Sequence, residues 1–267
     1  DGRIAFVGGM GITDEFDPAA RDGASPWHEV MLSLTGPCIE DWQRLFVHGW
    51  RVWSGQPLEL PPTIASGWTD DGRPDGRVLG DTGSGGRAVM RGVLAEIGKA
   101  RERVWVATAY FAPTRRLQRA LKKAVRRGVD VRLLLAGPCN DHPMVWHAGQ
   151  RFYGRLLRGG VRIFEYQSGF LHAKMVLCDD WASIGSSNLD HWTLRWNLEA
   201  NQAVMDPAFA ARLADVFQAD FAQSTERTVG GWQQRGLGQR LLERLLGAGA
   251  DLLVQWSYRR ALRRPAS

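Results

Sequence analysis

His172 and Lys174 stand two residues apart in the run Phe170-Leu171-His172-Ala173-Lys174-Met175-Val176-Leu177-Cys178-Asp179. Alternate side chains of a strand share a face, so Leu171, Ala173, Met175 and Leu177 point one way while His172 and Lys174 point together the other way. One face packs and the other can do chemistry: an imidazole that attacks or moves a proton, beside an ammonium that holds an anion. The run Ala182-Ser183-Ile184 reads as a return strand. Gly185-Ser186-Ser187-Asn188 then reads as a tight turn whose hydroxyl, amide and backbone N–H groups suit a phosphate. A lone histidine in an apolar stretch is ordinarily a hydrogen-bonded core residue, but a lysine is rarely buried without a partner. The joint pattern His-x-Lys-x4-Asp, with Gly-Ser-x-Asn six residues later, therefore predicts a phosphodiester site, or half of one.

Such a site asks for two imidazoles. Displacing an alkoxide from a phosphodiester is easier in two steps if one imidazole attacks phosphorus and another protonates the leaving oxygen. Lysines and amides must hold the equatorial oxygens, where preorganised donors stabilise developing charge. Asp179 at the strand end reads as a hydrogen-bonding brace rather than a proton donor. The pair Asp179-Asp180 does not suggest a metal, because adjacent strand residues point to opposite faces. No metal and no cofactor are expected.

The elements that must position these groups follow from periodicity. Ser84 caps an expected helix to about Ala100, followed by a strand over 104–107. Leu117, Ala120, Leu121, Ala124 and Val125 recur at helical spacing, Gly128 closes that helix, and Val131 to Leu135 gives the next strand. A helix from about Met144 to Leu157 precedes a strand over 161–164. This alternation predicts an α/β fold of mixed, mostly parallel sheets flanked by helices.

An internal repeat is also visible. Glu29 precedes Pro37 as Glu199 precedes Pro207, each followed by a strand-like run (Val30 to Leu34, Ala203 to Met205) and an amphipathic helix reaching Phe46 or Phe217. Asp1 leads to Gly8-Gly9 much as Asp179 leads to Gly185-Ser186, with Thr13 to Pro26 as an inserted loop. The expected organisation is two pseudo-symmetric repeats, the first incomplete. Residues 1–53 form the remainder of the first repeat, 54–76 a Pro- and Gly-rich linker, 77–225 the second repeat, and 226–267 a basic amphipathic extension.

On these motifs the chain resembles the phospholipase D superfamily, and its opening Asp1-Gly2-Arg3-Ile4-Ala5-Phe6-Val7-Gly8-Gly9-Met10, with Trp27-His28-Glu29, Gly36-Pro37 and Trp50, is most similar to bacterial cardiolipin synthases. The resemblance implies that Asp1 ends a first motif whose His and Lys lie upstream. It implies that Lys174, Ser186 and Asn188 bind phosphate, and that His172 is the acid that later acts as base. Glu199 would orient His172, and Glu29 the first-motif histidine; a carboxylate on one ring nitrogen fixes the tautomer. Asp1, Gly9 and Glu29 are the first-repeat counterparts. Gly11 stands where the family pattern has Asn, which makes the site asymmetric, and Asp190-His191 stands where it has Asp-x-Arg-Ser. Tyr110, in Tyr-Phe-x-Pro, becomes a wall residue.

The implied activity is metal-independent transesterification of phosphatidylglycerol to cardiolipin through a phosphohistidine, at the cytoplasmic face of a bacterial inner membrane. The chain as given, with one motif histidine, is expected to be inactive. A hydrolytic phosphodiesterase acting on lipid or nucleic acid, and a non-catalytic membrane- or nucleic-acid-binding fragment, stay open as alternatives. The net charge of +6 suits an anionic membrane surface; nucleic acid is not the expected partner. Arg115, Arg116, Arg119, Lys122, Lys123, Arg126 and Arg127 read as a solvated helix face. Leu241 to Trp256, ahead of Arg259, Arg260, Arg263 and Arg264, suits a lipid interface. No apolar run approaches the roughly 20 residues of a membrane span. The three cysteines, Cys38, Cys139 and Cys178, have no paired or metal-ligand spacing and point to a reducing compartment. Oligomeric state is left open.

Overall fold

The computed structural model describes residues 2–17, 19, 25–60, 75–80, 87–190 and 198–236. Asp1, Ser84, His191 and the expected amphipathic segment beyond residue 236 lie outside them. Two sheets organise the chain. A two-stranded antiparallel sheet pairs β1 (Ile4–Gly8) with β2 (Met31–Thr35) and carries α1 (Cys38–Ser54). An eight-stranded mixed sheet contains β3 (Asp75–Gly80), β4 (Arg103–Thr108), β5 (Asp130–Ala136), β6 (Arg162–Tyr166), β7 (Met175–Cys178), β8 (Trp181–Gly185), β9 (Ala200–Met205) and β10 (Ser224–Arg227). Their order across the sheet is β10-β6-β5-β4-β7-β8-β9-β3.

The residue alternation of the central strands separates two cores. Val104, Val106, Val131, Leu133, Val176 and Cys178 face one side, where α2 (Arg87–Lys99), α3 (Arg115–Arg126) and α5 (Tyr153–Leu157) cover them. Trp105, Ala107, Leu134, Met175 and Leu177 face the other, closed by α6 (Pro207–Ala222) through Ala210, Leu213, Phe217 and Phe221. Phe217 is fully buried; truncation there to alanine should cost about 3–5 kcal/mol. The helices begin where local chemistry stops the strand. Thr114 accepts from the Leu117 N–H at 3.1 Å, and Asp206 accepts from the Phe209 N–H ahead of Pro207. The basic side of α3 lies opposite its buried stripe of Leu117, Leu121 and Ala124.

Parallel pairing is confined to β4–β5 and β5–β6, and every other ladder of the large sheet is antiparallel. The sheet is thus less parallel than the helix–strand alternation suggests, because β7, β8 and β9 form a meander and the edge strands β3 and β10 pair antiparallel with β9 and β6. The expected helix over 144–157 is two, α4 (Pro143–Gln150) and α5, with Arg151 and Phe152 between. Asp75 and Gly76, read as linker, open β3, which pairs with β9. The fold also runs past 225: β10 pairs with β6, and α7 (Val229–Gln233) sets Trp232 against Tyr153, with ring centroids 4.9 Å apart. Among the described residues no helix is long and apolar enough to cross a membrane.

Candidate active site

Residues 170–174 leave the regular ladder. Met175 starts β7, while the motif segment ahead of it is held by the first sheet's lead-in strand. The His28 N–H donates to the Phe170 carbonyl and the His172 N–H to the His28 carbonyl, each at 2.8 Å, in a parallel bridge. Leu171 and Ala173 are fully buried, so the expected alternation persists through the bridge. The packing and chemical faces separate only there; within β7 itself both faces are core.

That bridge sets Glu29 beside His172. The His172 Nδ1 lies 2.7 Å from Glu29 Oε2, whose side chain is 1% exposed. With a carboxylate at Nδ1 the ring's neutral-state proton belongs there, leaving Nε2 for substrate. Lys174 Nζ is 3.4 Å from the same oxygen and 2.8 Å from Nδ1, and it donates to the His172 carbonyl. Burial pulls the Lys174 ammonium down to about 8, while Glu29 and, more weakly, Glu199 and Asp141 push the other way. Gly9 makes room for this arrangement, since a Cβ there would stand 2.6 Å from Glu29 Oε2 and 2.9 Å from Lys174 Nζ.

The carboxylate assignments therefore cross over. Glu199, expected to orient His172, accepts the Ser186 hydroxyl; Glu29, expected to serve another histidine, orients His172. The physical reason is that the segment carrying Glu29 lies against residues 170–172 of the second repeat, whereas Glu199 precedes β9, which pairs with β8 of its own repeat and so meets Ser186. Ser186 is thereby tied to Glu199 and to the Ala200 N–H at 3.2 Å. Gly185 admits this close contact, as a Cβ would meet the Ala200 carbonyl at 2.3 Å. The Asn188 Oδ1 accepts from Thr108 Oγ1 at 3.0 Å and from the Tyr110 N–H at 3.4 Å, which commits the amide oxygen and leaves its N–H groups as donors.

Asp179 stands at the far end of β7 from Lys174 and takes no part in this cluster. Burial raises its carboxyl, but N–H donors from Arg103, Arg101 and Glu102, at 2.8–3.0 Å, outweigh that and hold it below the usual carboxylate range. Its φ of 50° makes it the left-handed residue of the β7–β8 turn.

Sequence patterning did not mark the aromatic surround of His172. Phe16, Trp27 and Phe170 lie with ring centroids 5.6, 5.2 and 5.7 Å from the imidazole. Phe16 arrives from the inserted loop, and the Trp27 N–H donates to the Glu15 carbonyl at 2.8 Å. His28 fixes the same segment from behind: it stacks on Tyr166 at 5.1 Å and its Nε2 lies 2.9 Å from Asp220 on α6, a pairing that raises its proton affinity despite burial. Tyr110 donates to Asp141 Oδ2 at 2.5 Å, and burial and that carboxylate push the phenol well up. Among the described residues, no group of three or more His, Cys, Asp or Glu side chains comes together to hold a metal.

A family model described as cardiolipin synthase, PLD-like domain matches residues 93–221. The chain is 38% identical over 235 residues to cardiolipin synthase A of Pseudomonas entomophila (strain L48), covering 86% of this chain and 47% of that protein. It is 36% identical over 231 residues to cardiolipin synthase A of Pseudomonas aeruginosa (strain LESB58), covering 85% and 46%. The chain spans about half the length of the curated relatives it matches. In fold it is similar to phosphatidylserine synthase of Haemophilus influenzae Rd KW20, at TM-score 0.61 and 13% identity over 85% of this chain and 62% of that one. It is also similar to Nuc, a phospholipase D family member from Salmonella typhimurium, at TM-score 0.50 and 19% identity over 58% of this chain and 99% of that one. The sheet that carries Met175–Cys178 is thus a phospholipase D-like fold, and the family model described as cardiolipin synthase, PLD-like domain matches it over residues 93–221.

Proposed function

We propose that the protein to which this chain belongs transfers a phosphatidyl group from one phosphatidylglycerol to a hydroxyl of a second, making cardiolipin and releasing glycerol without a metal. The observation that carries this is the buried Glu29–His172–Lys174 cluster. In the first step a histidine of the first motif attacks phosphorus, and His172 protonates the departing glycerol oxygen from Nε2. In the second the acceptor hydroxyl attacks, the phosphorus–nitrogen bond breaks, and the hydroxyl proton passes to His172. Lys174 and the Asn188 amide hold the equatorial oxygens, and Ser186, kept in place by Glu199, borders them. Glu29 holds the His172 ring in the orientation and tautomer that each cycle requires. Relatives named cardiolipin synthase support the lipid substrate, and the net charge of +6 supports work at the anionic cytoplasmic face of a bacterial inner membrane. The experiment is to give the full-length protein phosphatidylglycerol vesicles, and separately single- and double-stranded DNA, in excess chelator. Cardiolipin and glycerol in equal amounts are expected. Phosphatidic acid as the sole lipid product, or DNA cleavage in place of lipid turnover, overturns the reading.

A further inference from the structure

Sequence patterning reads the basic side of α3 as a solvated face, but the charge of the helices around the large sheet is one-sided. α3 carries Arg115, Arg116, Arg119, Lys122, Lys123 and Arg126 and no acidic residue, and of these only Lys122 is half-buried while the others are exposed. None of them pairs with a carboxylate among the described residues. Arg116, Arg119, Lys123 and Arg126 follow one another at three- and four-residue steps, so they form a single stripe along the helix. The neighbouring α2 and α5 add Arg91, Lys99 and Arg155, and their one carboxylate, Glu96, is already held by Lys99 at 2.8 Å. On the opposite face of the sheet α6 carries Asp215 and Asp220 against Arg212 alone. The cationic excess of these helices therefore stands on one side of the sheet.

We propose that α3 is the surface by which the protein docks on an anionic phospholipid bilayer, with the stripe from Arg116 to Arg126 laid along the headgroup phosphates. Exposed cations each gain from the negative potential of such a surface, and the gains add along a stripe. The stripe runs about 15 Å, long enough to meet more than one headgroup. Nucleic acid offers the same phosphates, yet α2 and α3 carry no aromatic side chain on which a base could stack, whereas a bilayer asks only for charge. The inference rests on the transferase reading above and deepens it by naming the face that meets the lipid. Phe111 to Thr114 join α3 to Tyr110, whose N–H donates to Asn188 at the site. A bilayer held against α3 thereby brings phosphatidylglycerol to the rim of that site.

The test places the full-length protein on vesicles of phosphatidylcholine, with and without phosphatidylglycerol, and follows the rate at which Lys123 is acetylated. Phosphatidylglycerol should slow that reaction about tenfold, and raised salt should restore it, because exposed charges are screened. Replacing three cations of the stripe, Arg116→Gln, Arg119→Gln and Arg126→Gln together, should weaken docking about 100-fold. Lys123 of that variant should then react equally fast on both vesicles, while turnover of monomeric short-chain phosphatidylglycerol, which needs no docking, stays at the wild-type rate and reports an intact fold. Equal reactivity of wild-type Lys123 on the two vesicles overturns the docking surface, and turnover of the monomeric lipid would leave the transferase reading standing. Protection of Lys123 by double-stranded DNA and not by phosphatidylglycerol vesicles overturns it in favour of a nucleic-acid surface. Protection by phosphatidylglycerol vesicles without turnover of that lipid in either form overturns the transferase reading and leaves the surface in place.

Discussion

Two proton-carrying groups converge on one Glu29 oxygen at His172, and this sharing sets the pH behaviour of the site. Lys174 loses its proton near pH 8 in the folded protein, against 10.5 ordinarily, because burial outweighs Glu29. The unfolded chain then holds the extra proton between those values. This group therefore favours folding more as pH rises through that window, and below about 8 the fold carries a buried cation at a cost. Under the proposed function activity runs the opposite way, since Lys174 is there to hold the phosphate as a cation. Turnover at low substrate should fall on the alkaline side with a midpoint near pH 8, and a profile flat to pH 10 would remove Lys174 from phosphate binding. Glu29→Gln takes away the largest influence that keeps Lys174 charged, and it frees the His172 ring. The alkaline midpoint should move to lower pH and the rate should drop about 10- to 100-fold, as for loss of a group that orients a reactive histidine. Glu199→Gln, weaker in its effect on Lys174, should move the midpoint less. A larger shift for Glu199→Gln would restore the pairing expected from the sequence. That pairing was not legible because spacing within a repeat cannot report which repeat's strand lies alongside the motif.

The β7–β8 hairpin joins two tasks in one short element, presenting Lys174 at one end and bracing Asp179 at the other. Its legibility in the sequence came from period-two alternation and the small-residue turn, both of which are local. What alternation could not show is that residues 170–174 bond to His28 and Glu29 instead of continuing the ladder, because that depends on a segment more than a hundred positions away. The break at Arg151 and Phe152 was likewise hidden, since both flanking helices keep apolar residues at helical spacing. Asp179 was read as a brace, and its three backbone donors make that role measurable. Asp179→Ala should lower stability by about 2–3 kcal/mol, from hydrogen bonds to a partly exposed carboxylate plus the left-handed φ, read as a shift in the urea midpoint. Asp179→Asn, which tolerates that φ, should lose less. The carboxylate's stabilisation is present above its ordinary value of 3.8 and disappears as pH falls through the lower folded value, so the two proteins should converge in stability in strong acid. A pH–rate profile altered by Asp179→Asn with stability unchanged would mean that the residue handles protons after all.

Across the whole molecule the two sheets are unequal in what they bury. The eight-stranded sheet is covered on both faces, whereas the two-stranded sheet and α1 leave Ile4, Phe6, Phe46, Trp50 and Trp53 well exposed. The large sheet has the two cores of a self-sufficient α/β unit and should fold within the 267-residue chain. Chemistry is a different matter, because the proposed double displacement needs a nucleophile and an acid on opposite sides of phosphorus, and in that proposal His172 is one of the two. A second copy is not expected to supply the second imidazole, since first-repeat strands already cover part of the second repeat, β1 lying against β8 and β9 and β2 against β8. Residues 1–267 expressed alone should therefore unfold cooperatively yet make no cardiolipin from phosphatidylglycerol at any protein concentration. The full-length protein should turn phosphatidylglycerol over, and His172→Ala in it should abolish turnover. Cardiolipin made by the 267 residues alone, with a rate that rises as the square of concentration, would show that two copies do assemble a complete site and that the paired-repeat account is wrong.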